Sequence, residues 1–199
     1  MTAAEFLDIL HTAAKLKTTL RHCYTEGDRQ ESVADHSWRL ALMALLLRDV
    51  EDFRGLDMDR VIRMCLIHDL GEAFTGDIPA FRKSDEEVRA EDDRFAAWID
   101  RFPCPQRAEW AALLSEMFAQ ESGEARLYKA LDKLEALISH NESDVDTWLP
   151  LEHELQLRYG QEEMQPFPYL ISLRERIDDW TLRKTAAAQD PESADPRQP

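Results

Sequence analysis

Apolar residues recur at helical spacing along most of the chain, and polar or proline-containing stretches separate these segments. From Ser32 onward, a run that is apolar on nearly every side predicts a central helix. Other apolar stripes predict helices near residues 3 to 17, 57 to 72, 95 to 102, 110 to 118, 127 to 138, 147 to 159 and 168 to 183. No segment has the length and alternation of a convincing strand. The pattern predicts an all-α bundle of about eight helices.

The length of 199 residues and the hydrophobic fraction of 44% suit one globular domain. We expect a single domain at residues 1 to 184 and a disordered tail at residues 185 to 199, where alanine, proline and polar residues dominate. The stretch between Thr18 and Ser32 loses the helical period. It predicts a loop that is long enough to suggest a functional role.

The formal net charge of −16 disfavours a nucleic-acid polymer or an anionic membrane as a partner, because no compact basic run offsets it. No apolar run is long enough to span a membrane, and the N-terminus lacks the pattern of a secretory signal. We therefore expect a cytoplasmic protein. Its three cysteines, odd in number and widely spaced, predict reduced thiols rather than disulfides or a zinc ribbon.

Candidate chemistry is densest in the run L-I-H-D-L-G-E-A-F-T-G-D-I-P at residues 66 to 79. His68, Asp69, Glu72 and Asp77 lie within ten residues of one another. His68 and Glu72 continue the apolar stripe of the preceding helix, at the i and i+4 positions that share one face. Burying such groups costs free energy unless they pair or bind an ion, so either a metal site or a buried His–Asp hydrogen bond is indicated.

Two further ionisable residues lie in apolar helices elsewhere in the chain. His36 falls in the first turn of the central helix, where a lone histidine is usually a core or capping residue. Asp132 flanks the stripe of a later helix although aspartate is a poor helix former. The simplest explanation of Asp132 is an ion pair with a neighbouring basic residue, Arg126, Lys129 or Lys133.

The ordered set His36, His68-Asp69 and Asp132 resembles the H…HD…D site of the HD-domain phosphohydrolases. Three segments, E-S-V-A-D-H-S-W-R, H-D-L-G-E-A-F-T-G-D-I-P and K-A-L-D-K-L-E-A-L, are similar to the 5′-deoxynucleotidase-like branch. The resemblance covers most of residues 1 to 180 and implies an HD-domain helical bundle. It also implies that one divalent transition metal ion, Co²⁺, Mn²⁺, Zn²⁺, Fe²⁺ or Ni²⁺, is bound by His36, His68, Asp69 and Asp132.

The same resemblance implies roles for three further residues. Glu72 would handle the proton of the attacking water or the leaving group, which its i+4 spacing from His68 also favours. Asp77 would contact the sugar, and Arg21, fifteen residues before His36, would bind the 5′-phosphate. A surface glutamate and a solvated loop arginine are the alternatives for Glu72 and Arg21.

Two histidines complicate this comparison. His22 follows Arg21 where the branch commonly has an aromatic residue, so the sugar preference stays open. His140, eight residues after Asp132, could serve a second metal, but we interpret it as a surface residue.

The function implied by the resemblance is that of a metal-dependent phosphoric monoester hydrolase. A metal-activated water would remove phosphate from a (deoxy)nucleoside 5′-monophosphate, a small-molecule nucleotide. The alternatives are an HD-domain hydrolase of a signalling nucleotide or nucleoside triphosphate, a dimetal oxygenase, and a non-catalytic nucleotide-binding or scaffold protein with a vestigial metal site. The aromatic and aliphatic surplus is compatible with a homodimer.

Overall fold

The computed structural model describes residues 1–25, 27 and 29–189, which are mainly helical. In chain order the elements are α1 (Ala3–Ala13), a 3₁₀ turn (Ala14–Lys17), β1 (Leu20–Tyr24), β2 (Gln30–Ser32), α2 (Val33–Leu47), a 3₁₀ turn (Glu51–Phe53), α3 (Met58–Ile67), α4 (Glu72–Thr75), α5 (Asp85–Ile99), α6 (Gln106–Ala119), α7 (Gly123–Glu142), a 3₁₀ turn (Val145–Thr147), α8 (Glu152–Leu155), α9 (Gln161–Met164) and α10 (Pro168–Gln189). Within the described ranges, α4, α8 and α9 are single turns and the other seven α-helices are longer. The prediction of an all-α fold is confirmed.

The centre of the fold is formed by α2, α3 and α7, which pack against one another. Their facing side chains are fully buried, among them Leu40, Val61, Met64 and Leu131. Three of the four predicted metal ligands lie on or next to these helices: His36 on α2, Asp132 on α7 and His68 directly after α3. The packing of the core therefore also fixes where these ligands meet.

The start of α2 is set by a reciprocal cap. The Ser32 hydroxyl accepts a hydrogen bond from the Asp35 N–H, and the Asp35 carboxylate accepts one from the Ser32 N–H. Such a cap stabilises a helix by about 1 kcal/mol. It fixes His36 in the first turn of α2, next to the hairpin.

The predicted loop between residues 18 and 32 contains an antiparallel hairpin, so the prediction of a structure without strands was wrong at this point. Leu20 pairs with Ser32, and Tyr24 pairs with Gln30. The strands have only five and three residues. Such short strands do not create an alternating pattern in the sequence, and tertiary packing of the buried Cys23 holds this hairpin instead.

The expectation that His68 and Glu72 share one continuous helix was also wrong. The helix α3 ends at Ile67, and the next residues form a tight turn in which Leu70 N–H donates to Ile67 O and Glu72 N–H donates to Asp69 O. These bonds span three residues instead of four, as in a 3₁₀ helix. Gly71 lies in this turn and is a poor helix former, and an added Cβ there would come within 2.8 Å of Glu91 Cγ, so glycine lets the turn pack closely against α5.

The helix predicted at residues 147 to 159 is reduced to the single turn α8. Pro150 lies just before this turn, and Gly160 ends the segment with a φ of +73°, which is unfavourable for residues with a Cβ. A Cβ at Gly160 would lie 2.6 Å from Lys133 Cβ, so glycine also allows the chain to pass close to α7.

At the C-terminus, α10 continues to Gln189, five residues into the tail predicted to begin at residue 185. Alanines at positions 186 to 188 are strong helix formers and explain the extension. The remainder of the predicted disordered tail, residues 190 to 199, lies outside the described residues.

Two expectations from composition can be compared with the described residues. Cys23, Cys65 and Cys104 are all free thiols, as predicted. Of the helices described, none is both long and apolar enough to cross a lipid bilayer.

Candidate metal centre and its cavity

Four side chains that are distant in sequence converge next to the core. His36 Nε2 lies 3.2 Å from His68 Nε2, 3.2 Å from Asp132 Oδ1 and 3.7 Å from Asp69 Oδ2. His68 Nε2 lies 3.0 Å from Asp69 Oδ2 and 3.7 Å from Asp132 Oδ1. The structure thus brings together all four residues that the sequence predicts as metal ligands.

The hydrogen bonds of the two histidines aim their Nε2 atoms at the same point. His68 Nδ1 donates to the Cys65 carbonyl oxygen at 3.0 Å, and His36 Nδ1 donates to the Glu135 carboxylate. Both acceptors require the neutral ring to hold its proton on Nδ1, so each Nε2 offers a lone pair. Two nitrogen lone pairs 3.2 Å apart repel unless a proton or a cation lies between them.

The spacing and charge of these four groups fit a divalent transition metal ion. Ligand atoms bound at 2.0–2.2 Å around one tetrahedral centre are separated by about 3.3 Å, and the five separations quoted above range from 3.0 to 3.7 Å around this value. The ligand atoms of His36, His68 and Asp69 all lie within 4.8 Å of one another, and Asp132 joins this group through its contacts with the two histidines. Two carboxylates balance the charge of a divalent ion. A mixed imidazole and carboxylate set suits Zn²⁺, Fe²⁺, Co²⁺, Ni²⁺ or Mn²⁺.

The pKa values of the candidate ligands indicate that a bound cation would replace a proton. Burial lowers the pKa of His68, but the negative charges of Asp69 and Asp132 outweigh this and raise it to about 10. Burial raises the pKa of Asp69, and the positive charge of His68 reverses this to a pKa below its usual range. In the cation-free protein a proton on His68 therefore offsets part of the negative charge of the two aspartates. A divalent ion displaces that proton, so metal affinity falls as the pH is lowered.

Glu135 and Arg39 support the centre from behind, and the sequence reasoning missed both. Glu135 of α7 is fully buried, accepts the hydrogen bond from His36 and receives the Arg39 guanidinium at 2.6 Å. A carboxylate behind a ligating histidine fixes the ring and increases its basicity. The available signal was the spacing, because Glu135 follows Asp132 and Arg39 follows His36 by three residues.

Asp132 combines the two roles that its sequence position suggested. Its Oδ2 accepts a hydrogen bond from Lys129 Nζ at 2.9 Å, which is the ion pair expected for an aspartate on this helix. Its Oδ1 faces the two histidines. The pair with Lys129 orients the carboxylate, and the other oxygen stays available to an ion.

Glu72 is buried, so the alternative of a surface glutamate is excluded by its position. Its Oε2 has no hydrogen-bond partner among the described residues. Burial and then the negative charges of Asp69 and Asp77 raise its pKa to about 11. Such a carboxyl group is held protonated in the cation-free protein, and one of its buried oxygens forms no hydrogen bond with the described residues.

The centre opens into a cavity of about 710 Å³ that Arg21 and Asp77 also line. Arg21 is not a solvated loop residue: its side chain is 12% exposed, and its Nε lies 3.2 Å from Glu31 Oε2. Asp77 is half-buried and follows Gly76, whose φ of +78° turns the chain after α4. The cavity wall therefore combines three of the predicted metal ligands, His68, Asp69 and Asp132, with a buried carboxyl group and a cation.

His22, His140 and Glu152 form a second cluster on the wall of this cavity. His22 Nε2 lies 2.7 Å from Glu152 Oε1, and His140 Nε2 lies 3.7 Å from the same oxygen. The interpretation of His140 as a surface residue was wrong, since its side chain is 12% exposed and its Nδ1 is buried. Burial lowers its pKa to about 4, so the ring is neutral. It packs edge-on against Trp148.

A histidine and carboxylate centre at the base of a cavity in an all-α bundle is a candidate metal centre, and comparison with known proteins defines its class. The model of the HD domain matches residues 13 to 168. The chain belongs to the HD-domain family.

Relatives with known names agree with this assignment. The chain is 33% identical to 5′-deoxynucleotidase HDDC2 of Homo sapiens, over 70% of this chain and 69% of that protein. It is 29% identical to 5′-deoxynucleotidase hdd1 of Schizosaccharomyces pombe, over 69% of this chain and 73% of the relative. A predicted metal-dependent phosphohydrolase from Magnetospirillum magnetotacticum MS-1 superimposes with a TM-score of 0.76 at 31% identity, covering 92% of this chain and 93% of the other.

Proposed function

We propose that the protein is a metal-dependent 5′-nucleotidase that hydrolyses deoxynucleoside 5′-monophosphates. The observation that carries the proposal is the convergence of His36, His68, Asp69 and Asp132 beside the buried Glu72, at the base of a nucleotide-sized cavity. The names of the relatives supply the substrate class.

In the proposed reaction, water attacks phosphorus, the bond from phosphorus to the 5′-oxygen breaks, and the products are inorganic phosphate and a nucleoside. A divalent ion held by the four ligands would lower the pKa of water and polarise the phosphoryl group. Glu72 is placed to exchange a proton with the water or the departing 5′-oxygen, since its raised pKa favours the acid form until a cation lowers it.

Arg21 and Asp77 bind the two parts of the substrate in this proposal. The Arg21 guanidinium, buried on the cavity wall, binds the phosphate, which the strongly acidic chain would otherwise repel. Asp77 accepts a hydrogen bond from a sugar hydroxyl. Lys83, which also lines the cavity and contacts Glu91 at 2.7 Å, adds a second positive charge.

The proposal predicts phosphate release from deoxynucleoside 5′-monophosphates in the presence of Co²⁺ or Mn²⁺, and none after chelation. The 3′-monophosphates serve as the matched control substrates, because they differ only in the position of the phosphate. Phosphate is measured colorimetrically. An inactive panel of 5′-monophosphates across several metals would contradict the function, whereas activity confined to triphosphates or signalling nucleotides would change the substrate class.

We extend the proposal to the oligomeric state and the cellular compartment of the protein. Trp38, Leu45 and Leu46 lie along one exposed side of α2 and are 64%, 52% and 72% exposed. We expect this surface to form a homodimer of a cytoplasmic enzyme that binds no nucleic-acid polymer. Sedimentation equilibrium should give twice the mass of one chain, and Leu46→Glu should shift the mass toward that of the monomer.

A further inference from the structure

Glu31 is a buried residue that belongs neither to the candidate metal ligands nor to the residues proposed above to bind the substrate. Its Oε1 accepts a hydrogen bond from the Ser139 hydroxyl at 2.7 Å, and its Oε2 accepts one from the Cys23 thiol at 3.0 Å. Burial raises the pKa of that thiol, so it keeps the proton that it donates. The same Oε2 lies 3.2 Å from Arg21 Nε. Because a buried carboxylate is costly unless a cation pairs with it, the contact with Arg21 is central to this position.

The hairpin between α1 and α2 brings Glu31 and Arg21 together. Leu20 of β1 pairs with Ser32 of β2, so Arg21 and Glu31 each lie one residue from this pair on neighbouring strands. Opposite charges on neighbouring strands stabilise such a pairing. The Gln30 side-chain amide also donates to the Arg21 carbonyl oxygen at 3.4 Å. The hairpin therefore fixes the backbone of Arg21 as well as its partner.

The contact with Glu31 also determines which part of the Arg21 side chain a ligand can use. A guanidinium group is a planar fork, and most of its N–H donors are on the two terminal nitrogens. Because Glu31 contacts Nε and the side chain lines the cavity, these terminal nitrogens are left for a ligand. A phosphate group is bound well by two parallel N–H donors of one arginine.

Two other carboxylates on the cavity wall compete with a phosphate for Arg21. Asp69 and Asp77 line the same cavity, and their charges interact with that of the guanidinium. An arginine side chain has many rotamers. Without Glu31, Arg21 would be free to pair with Asp69 or Asp77, and its donors would then be occupied where the substrate has to bind.

A series of alternating charges connects Glu31 to the candidate metal centre. Arg39 Nη2 lies 3.8 Å from Glu31 Oε1, and Arg39 Nε donates to Glu135 Oε1 at 2.6 Å. The other oxygen of Glu135 accepts the hydrogen bond from His36. Arg21 and His36 are therefore held by two buried carboxylates that share one arginine, which fixes the separation between the phosphate-binding group and a metal ligand.

We propose that Glu31 is a positioning residue for the substrate phosphate: it holds the Arg21 guanidinium toward the cavity and keeps it from pairing with Asp69 and Asp77. The inference rests on the proposed function, because it concerns the phosphate of the same substrate. Glu31 acts through Arg21 and does not touch the substrate. Its loss should weaken phosphate binding without loss of the metal ion, since Glu135 still holds His36.

Glu31→Gln in the full, Co²⁺-loaded chain tests this role, because glutamine has the same shape but no charge to hold the guanidinium. The Kd for inorganic phosphate and the KM for a deoxynucleoside 5′-monophosphate should each rise by about 10-fold, with kcat changed by less than about 2-fold. Isothermal titration calorimetry measures the Kd, steady-state kinetics the KM and kcat, and elemental analysis the retained metal. If Glu31→Gln loses helicity by circular dichroism, Glu31→Asp, which keeps the charge but shortens the reach to Arg21, takes its place.

A double-mutant cycle with Arg21→Met separates positioning from a general effect on the fold. In the Arg21→Met background, Glu31→Gln should leave the phosphate Kd unchanged, because the group through which it acts is absent. The matched control is Glu142→Gln, which removes a half-exposed carboxylate from Arg39 without touching Arg21 and should keep the parental Kd.

Three results would overturn the positioning role: a parental phosphate Kd in Glu31→Gln, an equal effect of this substitution with and without Arg21, or an equal rise of the Kd in Glu142→Gln. A parental Kd in Arg21→Met would overturn both this inference and the phosphate-binding role of Arg21. If the cycle shows the expected coupling but no 5′-monophosphate is hydrolysed, the positioning of Arg21 is supported and the proposed function is contradicted, so the two are judged separately.

Discussion

Asp69→Asn is expected to abolish binding at the HD-domain centre and to lower phosphate release by about 1,000-fold or more, equivalent to about 4 kcal/mol of transition-state stabilisation. Asp69 supplies one of the two negative charges that balance a divalent ion, and its Oδ2 lies 3.0 Å from His68 Nε2. Asparagine has nearly the same shape but no charge. Elemental analysis and a phosphate-release assay on the same preparation measure both effects.

Asp59→Asn is the matched control for this substitution. Asp59 lies on α3, its side chain is 58% exposed, and its partner is Arg48 rather than a histidine. This variant should retain full metal content and activity, while circular dichroism should show unchanged helicity in both variants. An Asp69→Asn protein that still binds the ion and hydrolyses the substrate at the parental rate would exclude Asp69 as a ligand.

Glu72→Gln is expected to lower kcat by about 10²–10⁴-fold while leaving the metal content unchanged, because it removes a proton-transferring group and no ligand. The side chain is buried with one free oxygen, so glutamine fits the same space. Steady-state kinetics with metal analysis separates this result from that of Asp69→Asn. Parental kcat in Glu72→Gln would rule out proton transfer by this residue.

The same substitution should stabilise the cation-free protein. The pKa of Glu72 rises from its ordinary value of 4.5 to about 11 on folding, so the folded state retains a proton that the unfolded chain releases. The contribution of this carboxyl group to stability is fully present below pH 4.5 and is lost as the pH rises toward 11. Glutamine has no such proton to lose. In chelator, Glu72→Gln should therefore raise Tm more at pH 8 than at pH 5, and an equal effect at both pH values would contradict the buried, protonated state.

The helices could be predicted from local pattern, because the apolar period marks α2, α3 and α7. The four candidate ligands required more: local pattern marked His36, His68-Asp69 and Asp132 as ionisable groups on apolar helices, and only the resemblance to the HD-domain phosphohydrolases joined them into one set. The hairpin could not be predicted, because strands of five and three residues are stabilised by packing rather than by an alternating pattern.

The end of α3 at Ile67 could not be predicted from the sequence for a different reason. The residues from His68 to Thr75 retain helical spacing, so the sequence pattern shows no interruption, and the close packing of Gly71 against Glu91 appears only in the fold. This approach joins segments twenty residues apart, which a local pattern does not report. His68 Nε2 and Asp69 Oδ2 lie 3.0 Å apart although adjacent side chains on a regular helix point about 100° apart, and this proximity also could not be predicted from the sequence spacing.

The second cluster and the support behind His36 required the tertiary structure. His22, His140 and Glu152 are separated by more than one hundred residues of sequence at the widest, and the sequence drew attention to the two histidines for separate reasons and to Glu152 for none. Glu135 lies beside an apolar stripe, at a position where the sequence predicts an exposed glutamate. In the fold its side chain is buried. Residue type alone could not reveal these pairings.

The Arg39 guanidinium joins α2 to three successive positions along α7: Glu135, Ser139 and Glu142. This brace prevents the two helices from sliding or rotating past each other, and His36 and Asp132 are borne by the same two helices. The ligand geometry is consequently preorganised before an ion arrives, so the entropy of assembling the centre is lost during folding rather than during binding. The proposed metal site should therefore exchange ions of similar size while the rest of the protein stays folded.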